Sequence, residues 1–192
     1  MRIIAGHLRS RILQAPAGTA TRPTSDRLRE TLFNVLAPRI EGASFLDLYA
    51  GSGAVGIEAL SRGAARVVFV ERAGPPLKVL RANLERLGLP SGFRVQSESV
   101  AGFLRGPRVG AAEFDLVFLD PPYDMHGEYE TALGLLGGEA VGFLAADALV
   151  IAEHRRKCGL EDHYGVLKRT RLLAQGDAAL SFYSVERNQG AA

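Results

Sequence analysis

Short apolar runs alternate with amphipathic stretches along most of the chain. From residue 44 onwards, runs rich in β-branched and aromatic residues predict strands over 45–49, 66–71, 93–96, 115–120 and 148–153. Helical periodicity between them predicts helices over 54–62, 75–87, 99–104 and 128–137. Because alternating strands and helices are joined by right-handed crossovers, this order predicts a parallel sheet. Two last strands, over 165–173 and 179–187, flank a turn sequence and predict a C-terminal antiparallel hairpin, which makes a mainly parallel, seven-stranded α/β sheet.

The N-terminal region follows a different pattern. Residues 1–15 predict a short β-hairpin. Thr24 or Ser25 can cap a helix that runs to about Leu36 and is ended by Pro38. The sequence therefore predicts a small N-terminal extension, residues 1–43, followed by an α/β domain over residues 44–192.

Composition limits the class of protein. A chain of 192 residues can hold one well-packed domain and a small appendage. Its single cysteine, Cys158, excludes an internal disulfide and offers no metal cluster. No run reaches the roughly 18 apolar residues of a membrane-spanning helix, and the start of the chain does not resemble a signal peptide. We therefore expect a cytoplasmic protein that needs no metal.

A glycine-rich turn follows the first strand of the α/β region. The spacing Gly51-x-Gly53-x-x-Gly56, between a strand and a helix, is typical of a loop that holds a nucleotide-type cofactor at a helix N-terminus. The spacing alone equally suits a dinucleotide or a structural turn. Asp47 precedes the loop, where it could meet a cationic amino group, and Glu71 ends the next strand, where a carboxylate can accept both ribose hydroxyls. A cofactor with an amino-acid end and a ribose uses both acids, so we predict S-adenosylmethionine.

The tetrapeptide Asp120-Pro121-Pro122-Tyr123 ends the fourth strand of the α/β region. A carboxylate and a carbonyl group that face outward can each accept one hydrogen of a planar amine, and the prolines stiffen the turn because they lack N–H groups and have a fixed φ. The ring of Tyr123 can stack on a base. The alternative is a Pro-Pro turn that only ends a strand. The glycine-rich turn upstream favours the amine pocket.

Charge is unevenly distributed along the chain. Residues 1–43 contain seven arginines and three acidic residues, whereas the remainder is slightly acidic. Arginine pairs with phosphate groups and stacks on exposed bases, so the N-terminal region is predicted to contact RNA. The alternative is a general preference for arginine, because the whole chain has only three lysines, Lys78, Lys157 and Lys168.

Together the loop and the tetrapeptide resemble class I methyltransferases, which alkylate exocyclic amines. The segments at residues 2–6, 9–11 and 22–34 further resemble the RsmD family of bacterial 16S rRNA (guanine-N2)-methyltransferases. The resemblance covers residues 2 to about 187. It implies a Rossmann-like class I methyltransferase fold, S-adenosylmethionine as methyl donor with S-adenosylhomocysteine as product, and methylation of guanine 966 at N2 in 16S rRNA. The substrate would be rRNA within a small ribosomal subunit or an assembly intermediate, and the enzyme is expected to be a monomer.

The motifs assign candidate roles to particular residues. The catalytic candidates are Asp120, Pro121, Pro122 and Tyr123. The cofactor-binding candidates are Asp47, Tyr49, Ala50, Gly51, Ser52, Gly53, Glu71, Arg72, Glu98, Ser99 and Val100. The RNA-binding candidates are Arg9, Arg11, Arg22, Thr24 and Arg27. At Ser99 and Val100 the chain departs from the Asp or Asn followed by Ala that the family uses to hold the adenine amine.

Two other functions remain open from the sequence. A DNA or RNA adenine-N6 or cytosine-N4 methyltransferase shares the tetrapeptide, although it would call for a target-recognition domain that this chain has little room for. A non-catalytic RNA-binding assembly protein could retain a degenerate cofactor fold. An NAD-dependent oxidoreductase is the weakest alternative, because no residues for hydride transfer accompany the loop.

Overall fold

A single mixed sheet forms the centre of the molecule. The computed structural model describes residues 1–15, 26–107, 113–122 and 125–186. Its strands are β1 Ser44–Leu48, β2 Arg66–Val70, β3 Phe93–Gln96, β4 Phe114–Leu119, β5 Leu144–Arg155, β6 His163–Tyr164, β7 Leu167–Gln175 and β8 Ala178–Val185. They lie in the order β3-β2-β1-β4-β5-β8-β7-β6. The first five are parallel, and β8, β7 and β6 continue the sheet in antiparallel pairs.

This topology confirms the predicted Rossmann-like α/β fold and its C-terminal hairpin. The predicted number of seven strands is wrong, because the described residues form eight. The additional strand, β6, has two residues and pairs only with the start of β7. A strand of that length leaves no alternating pattern to detect in the sequence.

Helices cover both faces of the sheet. They are α1 Asp26–Leu36, α2 Ala54–Ser61, α3 Gly74–Leu87, α4 Val100–Arg105 and α5 His126–Leu136, with a 3-10 turn at Val141–Phe143 that the sequence did not predict. One buried cluster packs α1, α2 and α3 on one face, and a second packs α4 and α5 on the other. Because both faces are covered, β1 and β2 are buried in four of their five positions, as expected for parallel strands.

Residues 1–15, which we call the N-terminal segment, fold back on themselves. A bridge joins Arg2 to Ile12, and the backbone N–H of Ile3 donates to the carbonyl of Arg11 at 3.0 Å. The predicted hairpin is thus present in a minimal form. Three of its apolar side chains are buried in the same cluster as α1 and α2: Ile3, Leu8 and Leu13. Thr24 and Ser25, the predicted caps of α1, lie outside the described residues.

Among the helices that the structure describes, none combines the length and the apolar character required to span a bilayer.

Candidate active site

The site begins where three parallel strands end side by side. Leu48 at the end of β1 is in register with Val70 of β2 and with Leu119 of β4. The residues that follow, Tyr49, Glu71 and Asp120, therefore emerge at the same edge of the sheet. Strands β2 and β3 lie on one side of β1, and β4 and β5 lie on the other, so the strand order reverses at β1. Open α/β sheets bind their ligands at this point.

The glycine-rich loop, residues 49–53, is held in an unusual backbone conformation. Tyr49, Gly51 and Gly53 have φ angles of 61°, 57° and 80°. A side chain at Gly53 would place its Cβ 2.3 Å from Cδ1 of Leu80 on α3, whereas a Cβ at Gly51 would meet nothing closer than 3.9 Å. Gly53 is thus needed for packing against α3, and Gly51 leaves its backbone open to a ligand.

Glu71 fixes this loop from the neighbouring strand. Its Oε2 accepts a hydrogen bond from the backbone N–H of Gly51 at 2.9 Å, and its Oε1 accepts one from Ala73 at 2.6 Å. Each carboxylate oxygen keeps a further lone pair for a ligand hydroxyl. Glu71 is thus placed where the predicted ribose contact requires a carboxylate.

Asp47 is buried and hydrogen-bonded to the start of α2. Its side chain is 1% exposed and accepts a hydrogen bond from the backbone N–H of Gly56, in the first turn of α2, at 2.9 Å. Burial raises the pKa of Asp47 to about 7, the Gly56 hydrogen bond opposes that rise and the charge of Glu71 adds to it. The side chain is therefore placed to shape the start of α2.

A cavity of about 180 Å³ opens beside the loop. The predicted residues that line it are Tyr49, Gly51, Glu71, Arg72, Glu98, Ser99, Val100, Asp120, Pro121 and Pro122. Four predicted cofactor residues are not among its lining: Asp47, Ala50, Ser52 and Gly53. Tyr123 lies outside the described residues. The cavity thus brings the loop, the strand-end acids and the proline turn together.

Five lining residues were missed by the sequence analysis: Val70, Ala73, Pro76, Met125 and Glu128. Two backbone hydrogen bonds connect Glu128 to the proline turn. Met125 N–H donates to the Pro122 carbonyl, and Glu128 N–H donates to the Met125 carbonyl, each at 2.9 Å. The Tyr49 hydroxyl then donates to Oε2 of Glu128 at 2.7 Å. The pKa of Tyr49 is raised above its ordinary value, mainly by burial and to a smaller extent by this hydrogen bond.

The residues at the predicted adenine position have different surroundings. The Ser99 hydroxyl accepts a hydrogen bond from Gly102 N–H at 3.0 Å and so caps the start of α4. The Glu98 side chain beside it is exposed and lines the cavity. Of the two, the Glu98 carboxylate is better placed to accept a hydrogen bond from an amine.

The cavity is strongly acidic. Among the described residues, its charged lining consists of the carboxylates Glu71, Glu98, Asp120 and Glu128 and a single guanidinium, Arg72. Such surroundings attract a cationic ligand and repel a pyrophosphate. The glycine spacing suited a dinucleotide as well as S-adenosylmethionine. The acidic lining favours the cationic S-adenosylmethionine.

Comparison with known proteins agrees with this geometry. The family model described as Conserved hypothetical protein 95 matches residues 1–184. The chain is 41% identical over 160 residues to ribosomal RNA small subunit methyltransferase D of Escherichia coli, which covers 83% of this chain and 77% of that protein. The chain belongs to the RsmD methyltransferase family.

Solved structures extend the similarity to the fold. The hypothetical protein TTHA0928 of Thermus thermophilus superposes with a TM-score of 0.80 at 34% identity and covers 96% of this chain and 99% of its own. SMU.776, whose structure was determined with S-adenosylhomocysteine, has a TM-score of 0.65 at 15% identity over 82% of this chain and 49% of its own. At that identity the second comparison supports the fold alone.

The predicted RNA-binding residues of this RsmD-family chain lie on different elements. Arg9 and Arg11 are exposed at the tip of the N-terminal segment, which is fixed to the far end of α2 because Leu8 N–H donates to the Ser61 hydroxyl at 3.0 Å. Arg27 is exposed in the first turn of α1. Arg22 and Thr24 lie outside the described residues.

Two of the seven arginines in residues 1–43 are bound within the protein. Arg29 is fully buried, donates to the carbonyl of Arg2 at 2.6 Å and pairs with Asp26 at 2.9 Å. Arg39 pairs with Asp147 at 3.1 Å. These two arginines are thus engaged within the protein: Arg29 is buried and paired with Asp26, and Arg39 is paired with Asp147.

Proposed function

We propose that this protein transfers a methyl group from S-adenosylmethionine to the exocyclic N2 amine of a guanine in 16S rRNA. The observation that carries the proposal is the position of the Asp120-Pro121-Pro122 turn, which lines the same acidic cavity as the glycine-rich loop and Glu71. The name of the Escherichia coli relative, a small-subunit rRNA methyltransferase, supports rRNA as the substrate class.

The residues of the cavity suit this cofactor. S-adenosylmethionine carries a sulfonium and an ammonium group, and the described lining of the cavity offers four carboxylates against one guanidinium. Glu71 would accept hydrogen bonds from the ribose hydroxyls, Gly51 would approach the ligand with its backbone, and Glu98 would hold the adenine amine. When bound, the cofactor supplies a methyl group that is activated by its positive sulfur.

The proline turn would prepare the amine for attack. The lone pair of the guanine amine is delocalised into the ring, which makes it a weak nucleophile. The Asp120 carboxylate and the Pro121 carbonyl would accept its two hydrogens and so turn the lone pair toward the methyl group. As the N–C bond forms and the S–C bond breaks, the amine becomes acidic, and Asp120 would accept the proton that it loses. Correct placement of the reacting atoms then provides much of the rate enhancement.

The wider assignments rest on this proposal. The target guanine has to leave its stack to enter the cavity, which costs a few kcal/mol and costs least in an RNA loop. Tyr123 would stack on it, and the exposed Arg9, Arg11 and Arg27 would contact the RNA backbone. We propose that residues 1–43 act as the RNA-contacting extension of the methyltransferase domain, and that the enzyme is a cytoplasmic monomer.

Methyl transfer to defined substrates tests the proposal. Labelled S-adenosylmethionine is incubated with unmodified small ribosomal subunits, free 16S rRNA and DNA, and the products are digested to nucleosides. N2-methylguanosine from a ribosomal substrate is the expected product. Methyladenine or methylcytosine would assign the protein to another class of amino-methyltransferase, and no transfer to any substrate would contradict the proposal.

A variant of Asp120 tests the mechanism. Asp120→Ala is expected to reduce kcat by about 10²- to 10³-fold, because it removes an electrostatic contact made in the transition state. The affinity for S-adenosylhomocysteine should stay within about twofold of wild type. Glu139→Ala, a loss of an exposed acid, serves as the control. An Asp120→Ala variant with wild-type kcat would refute the assigned role.

A further inference from the structure

One buried amide connects the N-terminal segment with the glycine-rich loop. Asn83 lies on α3 and is 1% exposed. Its Oδ1 accepts a hydrogen bond from Gln14 N–H at 2.8 Å, and its Nδ2 donates to the carbonyls of Gln14 at 3.1 Å and Ser52 at 3.0 Å. The amide therefore uses its acceptor and both of its N–H groups on two chain segments that are far apart in sequence.

The same place holds the two ends of the N-terminal segment together. Leu13 N–H donates to the carbonyl of Met1 at 3.0 Å, and the Met1 sulfur lies 3.8 Å from the Ser52 hydroxyl. The base of the segment thus contacts the loop at Ser52, which is not among the residues that line the cavity, whereas its neighbour Gly51 is. A shift of Ser52 therefore disturbs the Asn83 amide, and with it the backbone of Gln14.

We propose that Asn83 is a positioning residue that couples the docking of the N-terminal segment to the conformation of the glycine-rich loop. The inference rests on the proposed function, because the ligand that orders the loop is the cofactor of that proposal. When S-adenosylmethionine or its product occupies the cavity and fixes Gly51 to Gly53, the Ser52 carbonyl is held where Asn83 binds it, and the segment docks more firmly. By thermodynamic linkage, RNA that binds the docked segment strengthens cofactor binding by the same factor.

Backbone hydrogen exchange measures this coupling in the intact protein. The N–H groups of Ile3 and Leu13 donate within the N-terminal segment and not to Asn83, so their exchange reports docking without a direct contribution from the lost bond. In wild type, S-adenosylhomocysteine is expected to slow their exchange several-fold. In Asn83→Ala this slowing should disappear, and the affinity for S-adenosylhomocysteine should fall about five- to tenfold, as one hydrogen bond of typical net strength predicts.

Two further variants separate coupling from a general loss of structure. Asn83→Asp keeps an acceptor for Gln14 N–H but loses the donors to the carbonyls of both Gln14 and Ser52. The bonds within the segment, such as Leu13 N–H to the Met1 carbonyl, do not involve this side chain, and the response of the segment to S-adenosylhomocysteine is expected to be lost. Gln14→Ala removes an exposed side chain and leaves both backbone hydrogen bonds intact, so it should respond as wild type does. A role limited to stability would lower the unfolding temperature of Asn83→Ala but preserve the slowing.

The possible failures are distinguishable. If wild type binds S-adenosylhomocysteine and Ile3 and Leu13 do not respond, or respond equally in Asn83→Ala, the coupling is refuted and the proposed function stands. If wild type does not bind S-adenosylhomocysteine, the proposed cofactor is wrong. The link between segment and loop is then judged without ligand, from exchange of the Gly53 amide, which donates to the carbonyl of Ala50 at 2.7 Å. Asn83→Asp must accelerate that exchange, and an unchanged rate overturns the link.

Discussion

Replacing Glu58 with glutamine is expected to destabilise the protein strongly and to release its N-terminal segment. Glu58 lies on α2 with its side chain fully buried. Its carboxylate accepts hydrogen bonds from the backbone N–H groups of Ile4 at 2.8 Å and Ala5 at 3.0 Å and from Nε of Arg62 at 2.7 Å. Nε of the buried Arg29 lies 3.9 Å away. One negative charge thus serves two arginines and two backbone donors.

The size of the effect follows from these contacts. Removing one partner of a buried ion pair costs about 3–5 kcal/mol, because the remaining charge is left uncompensated. In Glu58→Gln the new amide would also direct N–H groups at the N–H groups of Ile4 or Ala5, and each buried hydrogen bond that is lost costs about 1–3 kcal/mol. We therefore expect the free energy of unfolding to fall by about 3–5 kcal/mol, a large part of the roughly 5–15 kcal/mol of a typical domain.

Urea unfolding followed by circular dichroism measures the change in free energy, and hydrogen exchange of Ile4 and Ala5 locates it. Glu85→Gln, the same substitution on an exposed position of α3, is the matched control and should change the free energy of unfolding by less than about 0.5 kcal/mol. A loss below about 1 kcal/mol for Glu58→Gln, with Ile4 and Ala5 still protected, would show that the carboxylate does not hold the segment.

Two further predictions concern the glycine-rich loop and its support. The pKa of Asp47, about 7 in the folded protein against 3.8 ordinarily, means that folding favours the protonated acid, so stability is full below pH 4 and is lost as the pH rises to about 7. At about 1.4 kcal/mol per pKa unit, this contribution to the free energy of unfolding is roughly 4 kcal/mol. Asp47→Asn should remove that part of the pH dependence, which urea unfolding at several pH values measures. If wild type and variant show the same dependence of stability on pH, the prediction is contradicted. Gly51→Ala should lower the free energy of unfolding by about 1 kcal/mol, because alanine is strained at a positive φ. Gly53→Ala should lower it further, because its Cβ would also lie 2.3 Å from the Leu80 side chain of α3, and equal losses in urea unfolding would refute the packing argument.

The parts of the site that the sequence predicted depend on short-range pattern. Gly51, Glu71 and Asp120 each closely follow a strand, and parallel strands bring their carboxyl ends to one edge, so their convergence follows from the order of the elements. The α/β fold was predictable for the same reason. Strand β6 was not, because two residues carry no periodicity.

The features that were missed depend on contacts between distant residues. Tyr49 and Glu128 are separated by 79 positions, and no local pattern pairs them. Arginine is usually exposed, so its type alone does not predict that Arg29 is buried beside a buried carboxylate of α2, Glu58. Asp47 was predicted to meet the cofactor because it precedes the loop, and its hydrogen bond to Gly56 N–H, nine positions along the chain, is a contact with α2 that no local pattern shows.

The N-terminal segment explains why so many polar side chains are buried on this face of the sheet. This stretch of 15 residues pairs only part of its backbone groups within itself, and the remaining buried N–H and carbonyl groups need other partners. Glu58 and Ser61 on α2 and Asn83 on α3 provide them, in place of the neighbouring strand that a sheet would offer. The position of the segment is therefore set by the two helices that also frame the glycine-rich loop. A ligand that moves this loop acts on Asn83, which also holds the segment, so cofactor binding and the placement of Arg9 and Arg11 are expected to change together.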